Sequence, residues 1–515
     1  MKEYAYGAEV YEVSAPHIFF AACIHYGMWS VLHMQFNSYL FILAVIPGFV
    51  VCYFLLSKIG TIFGKTAIIA FSVLFYAYGG WDSALVLGIS LVSNLIFSFL
   101  LLKIKRFRKL LLIIAILVNV GLLFYFKYYN FALTTINDLF GTSFTLQSII
   151  LPLGISFFTF QQVMYAVAIY KAEIQDVNIF DYLCYVLYFP KLIMGPLMEP
   201  KDFVDQINNK ALKVINWENI ASGIKLFGFG LFKKMVLADT FAKGVSWGFS
   251  NISAATSGDL FLVTLFYTFE IYFDFSGYSD MAIGVSQMVN ISLPINFDSP
   301  YKAVSIRDFW KRWHMSLTAF FTKYVYIPLG GSRKGNIRTY ANILIVFLVS
   351  GLWHGANRTF ILWGCIHGIL QVFERISDKR LKRQQSPIRF LFTFLVVNLL
   401  WLLFRSETIS QWVGMLGKMF AFQNMAISEG LINAFALPET AFLFDKFDFL
   451  KLNTLVRGLP MLLLTVSAFL ICMIPENNYR NMKKIDAINM VLCAAAFVWA
   501  FLCLGAESVF VYYNF

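Results

Sequence analysis

Charge is what this sequence has least of. Only 14% of its 515 residues are Asp, Glu, Lys or Arg, while 59% are hydrophobic and the mean hydropathy is +0.69. A soluble domain carries about 25% charged residues. A chain this poor in charge cannot clothe itself for water. Histidine is scarce too, with six in all. The seven cysteines lie scattered in apolar stretches, none paired at metal-ligand or redox spacing. They read as small core residues. There is no nucleophile elbow, Walker loop, dinucleotide fingerprint or zinc signature, and no metal site is expected. No signal-peptide pattern opens the chain, and neither an internal repeat nor a low-complexity segment is visible.

What is present in quantity is the long apolar run. Phe36–Leu56, Ala67–Gly79, Ala84–Leu102, Leu110–Phe126, Leu226–Val236, Leu260–Phe275, Tyr340–Trp353, Phe390–Phe404, Met461–Ile474 and Met490–Leu504 are each nearly free of charge. Several approach the roughly 20 residues that cross a bilayer. With shorter, more polar stretches included, the pattern predicts an all-α integral membrane protein of about 11–13 spans or half-spans.

The net charge of +12 is not a nucleic-acid signal. The basic residues cluster between apolar runs: Lys103–Lys109, Lys311–Arg338, Lys379–Arg389 and Arg480–Lys484. Short basic loops stay on the cytoplasmic side of a plasma or inner membrane, where they also meet anionic lipid headgroups.

Residues 34–515 read as one transmembrane domain whose functional core is 150–380, a stretch less purely apolar than its flanks. Residues 1–33 are set apart as an N-terminal extension, because Met34-Gln-Phe-Asn-Ser opens directly onto an apolar run, as protein starts do. Glu199–Asn219 is expected to form an interfacial helix. Ala421–Asn453 is expected to cap the face opposite the basic loops.

Ionisable groups at membrane depth are costly and invite a functional explanation. Read as one helix, Arg307, Lys311, His314 and Thr318 share a face, with Phe309, Trp313 and Leu317 roughly opposite. That pattern fits either a membrane-surface helix or the wall of a cavity receiving a phosphorylated ligand. His354 follows the run Ile343–Val349 and stands among Gly351, Gly355 and Ala356, which allow close backbone approach. Its imidazole suits a general base, or a bond to a neighbouring helix. His367 reads as structural. Glu270, Asp274 and Asp280 could relay protons, bind cations or pair with nearby arginines. The turn Pro328-Leu-Gly-Gly-Ser-Arg-Lys-Gly could hold phosphates on its backbone N–H groups.

Several blocks, in this order, resemble the membrane-bound O-acyltransferase family. They are Leu151-Pro-Leu-Gly-Ile-Ser-Phe-Phe-Thr-Phe-Gln, Phe189-Pro-Lys-Leu-Ile-Met-Gly-Pro, Phe273-Asp-Phe-Ser-Gly-Tyr-Ser-Asp-Met-Ala-Ile-Gly, Asn296-Phe-Asp-Ser-Pro-Tyr, Arg307-Asp-Phe-Trp-Lys-Arg-Trp-His-Met-Ser-Leu, Tyr326-Ile-Pro-Leu-Gly-Gly-Ser-Arg-Lys-Gly, Ser350-Gly-Leu-Trp-His-Gly-Ala and Trp401-Leu-Leu-Phe-Arg. The resemblance spans roughly 34–510, and the branch it is most similar to is that of the alginate O-acetyltransferase membrane subunit. One departure is Asn357-Arg358, where that branch carries a small residue and Trp.

The resemblance implies a ring of helices around a pinched core, with a cytoplasmic and an outer funnel meeting at a histidine. It maps the catalytic histidine onto His354 and a second histidine onto His314. Lys311, Arg312, Arg333 and Lys334, with Trp310, become candidates for holding the donor substrate acetyl-CoA. No permanently bound cofactor is implied. The expected reaction moves an acetyl group to a polysaccharide outside the cell, directly or through an esterase-like partner. A D-alanyl transferase of the teichoic acid branch, fed by an acyl carrier protein, is the first alternative. A proton-coupled transporter and a non-catalytic scaffold are the others, and the lack of a repeat counts against transport.

Overall fold

The computed structural model describes residues 35–378, 386–436, 454–505 and 510–511, and every regular element within them is a helix. The extension 1–33, Met34, the basic cluster Lys379–Arg383 and part of the expected cap after residue 436 lie outside the described residues. The first part of the chain supplies α1 (Phe41–Ile59), α2 (Thr61–Ala77), α3 (Trp81–Lys103) and α4 (Arg108–Phe140). The middle supplies α5 (Ile155–Tyr170), α6 (Trp217–Phe232), α7 (Asp239–Ser250), α8 (Ser257–Met288), and two short helices, α9 (Ile306–Arg312) and α10 (Met315–Phe321). It ends with α11 (Asn336–His354) and α12 (Arg358–Asp378). After these come α13 (Pro387–Arg405), α14 (Val456–Met473) and α15 (Ala487–Leu502).

Seven of the described helices are long and apolar enough to cross a membrane: α1, α3, α4, α8, α11, α13 and α14. Helices α2, α5 and α15 are shorter apolar elements. The figure of about 11–13 from the sequence also counted half-spans and shorter, more polar stretches, and not every apolar run is a span. The run Leu226–Val236, for one, is no span of its own but ends α6 and enters a widened turn, Lys233–Ala238, leading to α7. Leu85, Ile89, Val92 and Ile96 fall on one exposed stripe of α3, more than half of each side chain uncovered. Such a stripe suits hydrocarbon, not water. Glu199–Asn219 is not one interfacial helix. Residues Pro200–Asn208 are helical, a tight turn follows, and α6 begins at Trp217.

Helix α8 is the axis of the molecule. A capping box starts it: the Thr256 hydroxyl accepts from the Asp259 N–H at 3.0 Å, and the Asp259 carboxylate accepts from the Thr256 N–H at 2.9 Å. Every residue from Phe266 to Met288 is buried, polar ones included. A helix buried all round has no lipid-facing side and must be wrapped by others. Its closest neighbour is α6. A Cβ added at Gly230 would lie 2.7 Å from the Gly277 carbonyl oxygen, and one at Gly277 would lie 2.7 Å from that of Gly230. One turn pair along, Gly223 and Gly284 repeat the arrangement at 2.5 and 2.6 Å. Two reciprocal glycine pairs, seven residues apart on each helix, thus let the backbones touch where lipid gives no hydrophobic drive. The widened turn after α6 then points Lys233 at Asp280 (2.7 Å) and Lys234 at Asp274 (2.6 Å) of α8.

Gly230→Val and Gly277→Val should each destabilise the protein by about 1–3 kcal/mol or more, through overpacking. Gly88→Val, at an α3 position with nothing within 4 Å of an added Cβ, should not. Thermal melting of the three variants in detergent, followed by gel filtration, checks this.

Candidate active site

The site is built where α11 ends. Gly351 and Gly364 bring α11 against α12, and the Phe360 ring closes over Gly355. This fixes the last turn of α11, in which Trp353 and His354 are both buried. The His354 ring meets Trp353, Trp363 and Phe404 edge-on, at centroid distances of 4.9, 5.3 and 5.1 Å.

Three successive carbonyls at this helix end find donors on α4. The Tyr128 hydroxyl donates to Leu352 O at 2.6 Å, and the Lys127 ammonium donates to Trp353 O at 2.6 Å and His354 O at 3.2 Å. Lys127 also reaches the Ser156 hydroxyl at 3.4 Å. A cation at a helix C-terminus opposes the negative end of its dipole while filling orphan acceptors. Lys127 and Tyr128 are adjacent, and both reach α11 because α4 is widened into a π turn over Phe124–Tyr128. Such turns recur at functional sites. Sequence reasoning missed Lys127. The signal was there: a cation deep inside an apolar helix of 33 residues, far from Arg108 and Lys109 at its start.

His314 is not on the continuous helix read from the sequence. The chain leaves α9 at Trp313 and turns through His314 in left-handed geometry (φ 44°, ψ 52°) before α10 begins. A non-glycine residue held there stores strain. Asn296 locks the break: its carbonyl accepts from the Met315 N–H at 2.9 Å, and its side-chain oxygen accepts from the Ser316 hydroxyl at 2.6 Å. On the other flank, the Asp298 N–H donates to Arg312 O at 2.9 Å. The imidazole is 1% exposed, and neither ring nitrogen has a hydrogen-bond partner among the described residues. It packs edge-on to Phe275 at 4.7 Å and lies 6.1 Å from Trp353. The two histidines therefore flank one indole.

The other sequence candidates separate. Lys311, Arg333 and Lys334 are exposed. Arg312 is engaged, pairing with Asp308 at 3.0 Å and donating to Asp298 O at 3.3 Å. Trp310 is buried, and its indole donates to His367 Nδ1 at 3.2 Å, which ties α9 to α12 and gives His367 its structural task. Trp310 also lines a cavity of about 230 Å³ with Thr318, Tyr326, Ser350, Gln371 and Arg375. The Gly-rich turn does not offer a full amide cradle. The N–H groups of Gly330, Gly331 and Arg333 donate to carbonyls of Ile327, Tyr326 and Gly330 within the turn itself. Gly331 adopts φ 56°, which this tight fold requires.

Of the three carboxylates, Asp274 and Asp280 pair with lysines, not with the arginines weighed from the sequence. Glu270 pairs with nothing among the described residues, and its Oε2 has no hydrogen-bond partner. Beside His354 lies a cavity of about 60 Å³, lined by Lys127, Gly154, Ser156, Phe157, Ile193 and Trp353 among others. A larger one of about 660 Å³ shares Lys127 and Leu151 with it and continues past Gly355 to Asn357, Glu270 and Arg405. It lies at the C-terminal end of α11, about 28 Å by helix rise from the basic turn at the N-terminal end. No group of three or more metal-ligating side chains occurs among the described residues. The departing pair is accounted for locally: Asn357 donates to Glu407 O at 2.8 Å, and Arg358 pairs with Asp138 at the end of α4.

The helical membrane body thus buries two histidines around one tryptophan. The chain matches the family model of the membrane-bound O-acyltransferases over residues 109–409, and it belongs to that family of acyltransferases. It is 33% identical to a peptidoglycan O-acetyltransferase of Helicobacter pylori, across 94% of this chain and 98% of that protein. It is 37% identical to a protein of Pseudomonas putida named probable alginate O-acetylase, across 77% of this chain and 82% of the other. A teichoic acid D-alanyltransferase of Streptococcus thermophilus is 30% identical, across 47% of this chain and 60% of the other.

Lys127→Met should leave the carbonyls of Trp353 and His354 without a donor. A hydrogen bond to a charged group contributes about 1.5–3 kcal/mol, so turnover should fall roughly ten- to hundredfold, with partial rescue by Lys127→Arg. Acyl transfer and melting temperature measured on both variants check this.

Proposed function

We propose that this acyltransferase takes an acetyl group from cytoplasmic acetyl-CoA and delivers it to hydroxyl groups of an extracytoplasmic polysaccharide, directly or through an esterase-like partner protein. The observation that carries the reading is His354, buried at a helix end that lines the small cavity and, through Gly355, reaches the larger one. In the reaction, His354 takes the proton from an acceptor hydroxyl as its oxygen attacks the thioester carbonyl carbon. The C–O bond forms, the C–S bond breaks, and the proton passes to the departing thiolate. His314, with both ring nitrogens unmet by the described residues and the ring near the same indole, orients or polarises the thioester. Lys311, Arg333 and Lys334 are the exposed cations suited to the phosphates of the donor at the cytoplasmic mouth.

Acetyl rather than D-alanyl transfer is favoured by extent. The O-acetylating relatives match most of the chain, and the D-alanyl relative about half of it. With purified protein in nanodiscs and radiolabelled acetyl-CoA, the wild type should release free CoA. His354→Ala should lose at least about 10²–10⁴ of that rate, the size of a general-base contribution. His314→Ala should lose less. Acceptance of an acyl group only from a carrier protein would establish the D-alanyl reaction instead. Indifference to both donors would remove the transferase reaction as written.

A further inference from the structure

The cavity of about 230 Å³ beside Trp310 has no part in the reaction as drawn. It is a slot between α10, the π turn Thr322–Tyr326 that follows it, and the helices α11 and α12. Trp310, Leu317, Phe321, Ile343, Val346 and Phe347 make its walls. From Ile343 to Ser350 it follows α11 for about 10 Å by helix rise. Its volume lies below the range of about 300–1,000 Å³ for pockets that enclose a small ligand. It admits part of a longer molecule.

Along the walls the polar groups are already engaged. The Thr318 and Thr322 hydroxyls donate to the carbonyls of Trp310 and Thr318, at 3.3 and 2.7 Å, and the Trp310 indole donates to His367. A chain bearing amides would bury them there unmatched, at a cost a hydrocarbon chain does not carry. The end toward the basic turn differs. Close contacts of Gly364 with Phe347 and of Gly368 with Leu344 run α12 antiparallel to α11, so Gln371 and Arg375 stand at that end, with Tyr326. Arg375 is half-buried and makes no hydrogen bond or ion pair among the described residues. Glu374 is turned away to α9, accepting from the Ile306 and Arg307 N–H groups at 2.7 and 3.0 Å. A guanidinium keeps its charge, and its planar fork matches a phosphate. Arg333, Lys334 and Arg338, exposed at the same end of α11, place it on the face where an anionic leaflet gathers cations.

We propose that this slot binds one anionic phospholipid of the surrounding membrane. An acyl chain lies along α11 from Ile343 toward Ser350, and the headgroup phosphate accepts hydrogen bonds from Arg375. The chain fills the space between α10, which follows His314, and α11, which ends at His354, and so braces the two histidine segments against each other. The site stands apart from the proposed reaction and does not rest on it.

The test is native mass spectrometry of the full chain, delipidated in detergent and then offered phosphatidylglycerol or phosphatidylcholine with identical chains. Wild type should retain one phosphatidylglycerol in preference to phosphatidylcholine. Arg375→Gln should weaken retention of phosphatidylglycerol about tenfold or more, the loss expected for a hydrogen bond to a charged group. Its melting temperature without lipid should match wild type, while the rise on adding phosphatidylglycerol should shrink. Val346→Trp, which fills the slot, should exclude both lipids. Equal retention by wild type and Arg375→Gln overturns the site. So does the same thermal protection by inorganic phosphate alone, since the chain would then contribute nothing. Displacement of the lipid by coenzyme A also overturns it and gives the slot to the donor.

Discussion

Hydrocarbon offers no water to a stray ammonium or carbonyl, so every buried polar group in this chain must find its partner inside the protein. That constraint explains the cations of the interior better than a tally of salt bridges would. Lys191 is 0% exposed; it donates to Gln161 and to the Tyr185 carbonyl, and it lies 4.1 Å over the Tyr185 ring. Lys225 bonds the carbonyls of Asn481 and Lys484 at 2.8 and 2.7 Å, which pins the last basic loop to α6. Lys127 does the same for the end of α11. Each lysine fills backbone carbonyls, at a helix end or in a loop, that would otherwise lack a donor.

Some buried polar groups nonetheless go unmatched among the described residues, the Thr159 and Ser279 hydroxyls and the Trp363 indole included, and two of them lie near the candidate site. His314 and Glu270 are buried polar groups whose partners the described protein does not supply. The histidine sits in a strained turn beside the Trp353 indole, and the carboxylate lines a cavity that Gly355 also lines. Strain and unmet hydrogen bonds persist at sites where a ligand completes the arrangement. The scaffold around them is rigid: glycine seams hold α6 to α8 and α11 to α12, and aromatic rings fill the remaining space.

Much of this was legible in the residues. The apolar runs located the membrane-crossing helices, and the blocks around His314 and His354 identified the family. The His354 environment followed from its small neighbours, since Gly351 and Gly355 do admit close packing. Other features were hidden because they depend on contacts distant in sequence. The pattern Arg307–Thr318 has helical spacing, but Asn296 breaks it at His314, and nothing in the spacing records that clamp. Arg312 looked like a phosphate ligand until Asp308, four residues back, claimed it. Lys127 closed an apolar run and so read as its boundary, although the helix continues to Phe140.

The central claim is that a thioester donor reaches His354 through the membrane body from the side of the basic turn. Cryo-EM of the protein with a non-cleavable thioether analogue of acetyl-CoA tests this most directly. The account predicts the acyl end within hydrogen-bond reach of the His354 imidazole and the phosphates at the end of α11 that carries Arg333 and Lys334. An analogue bound with its acyl end away from both buried histidines, or entering from the cavity that holds Glu270, would contradict it.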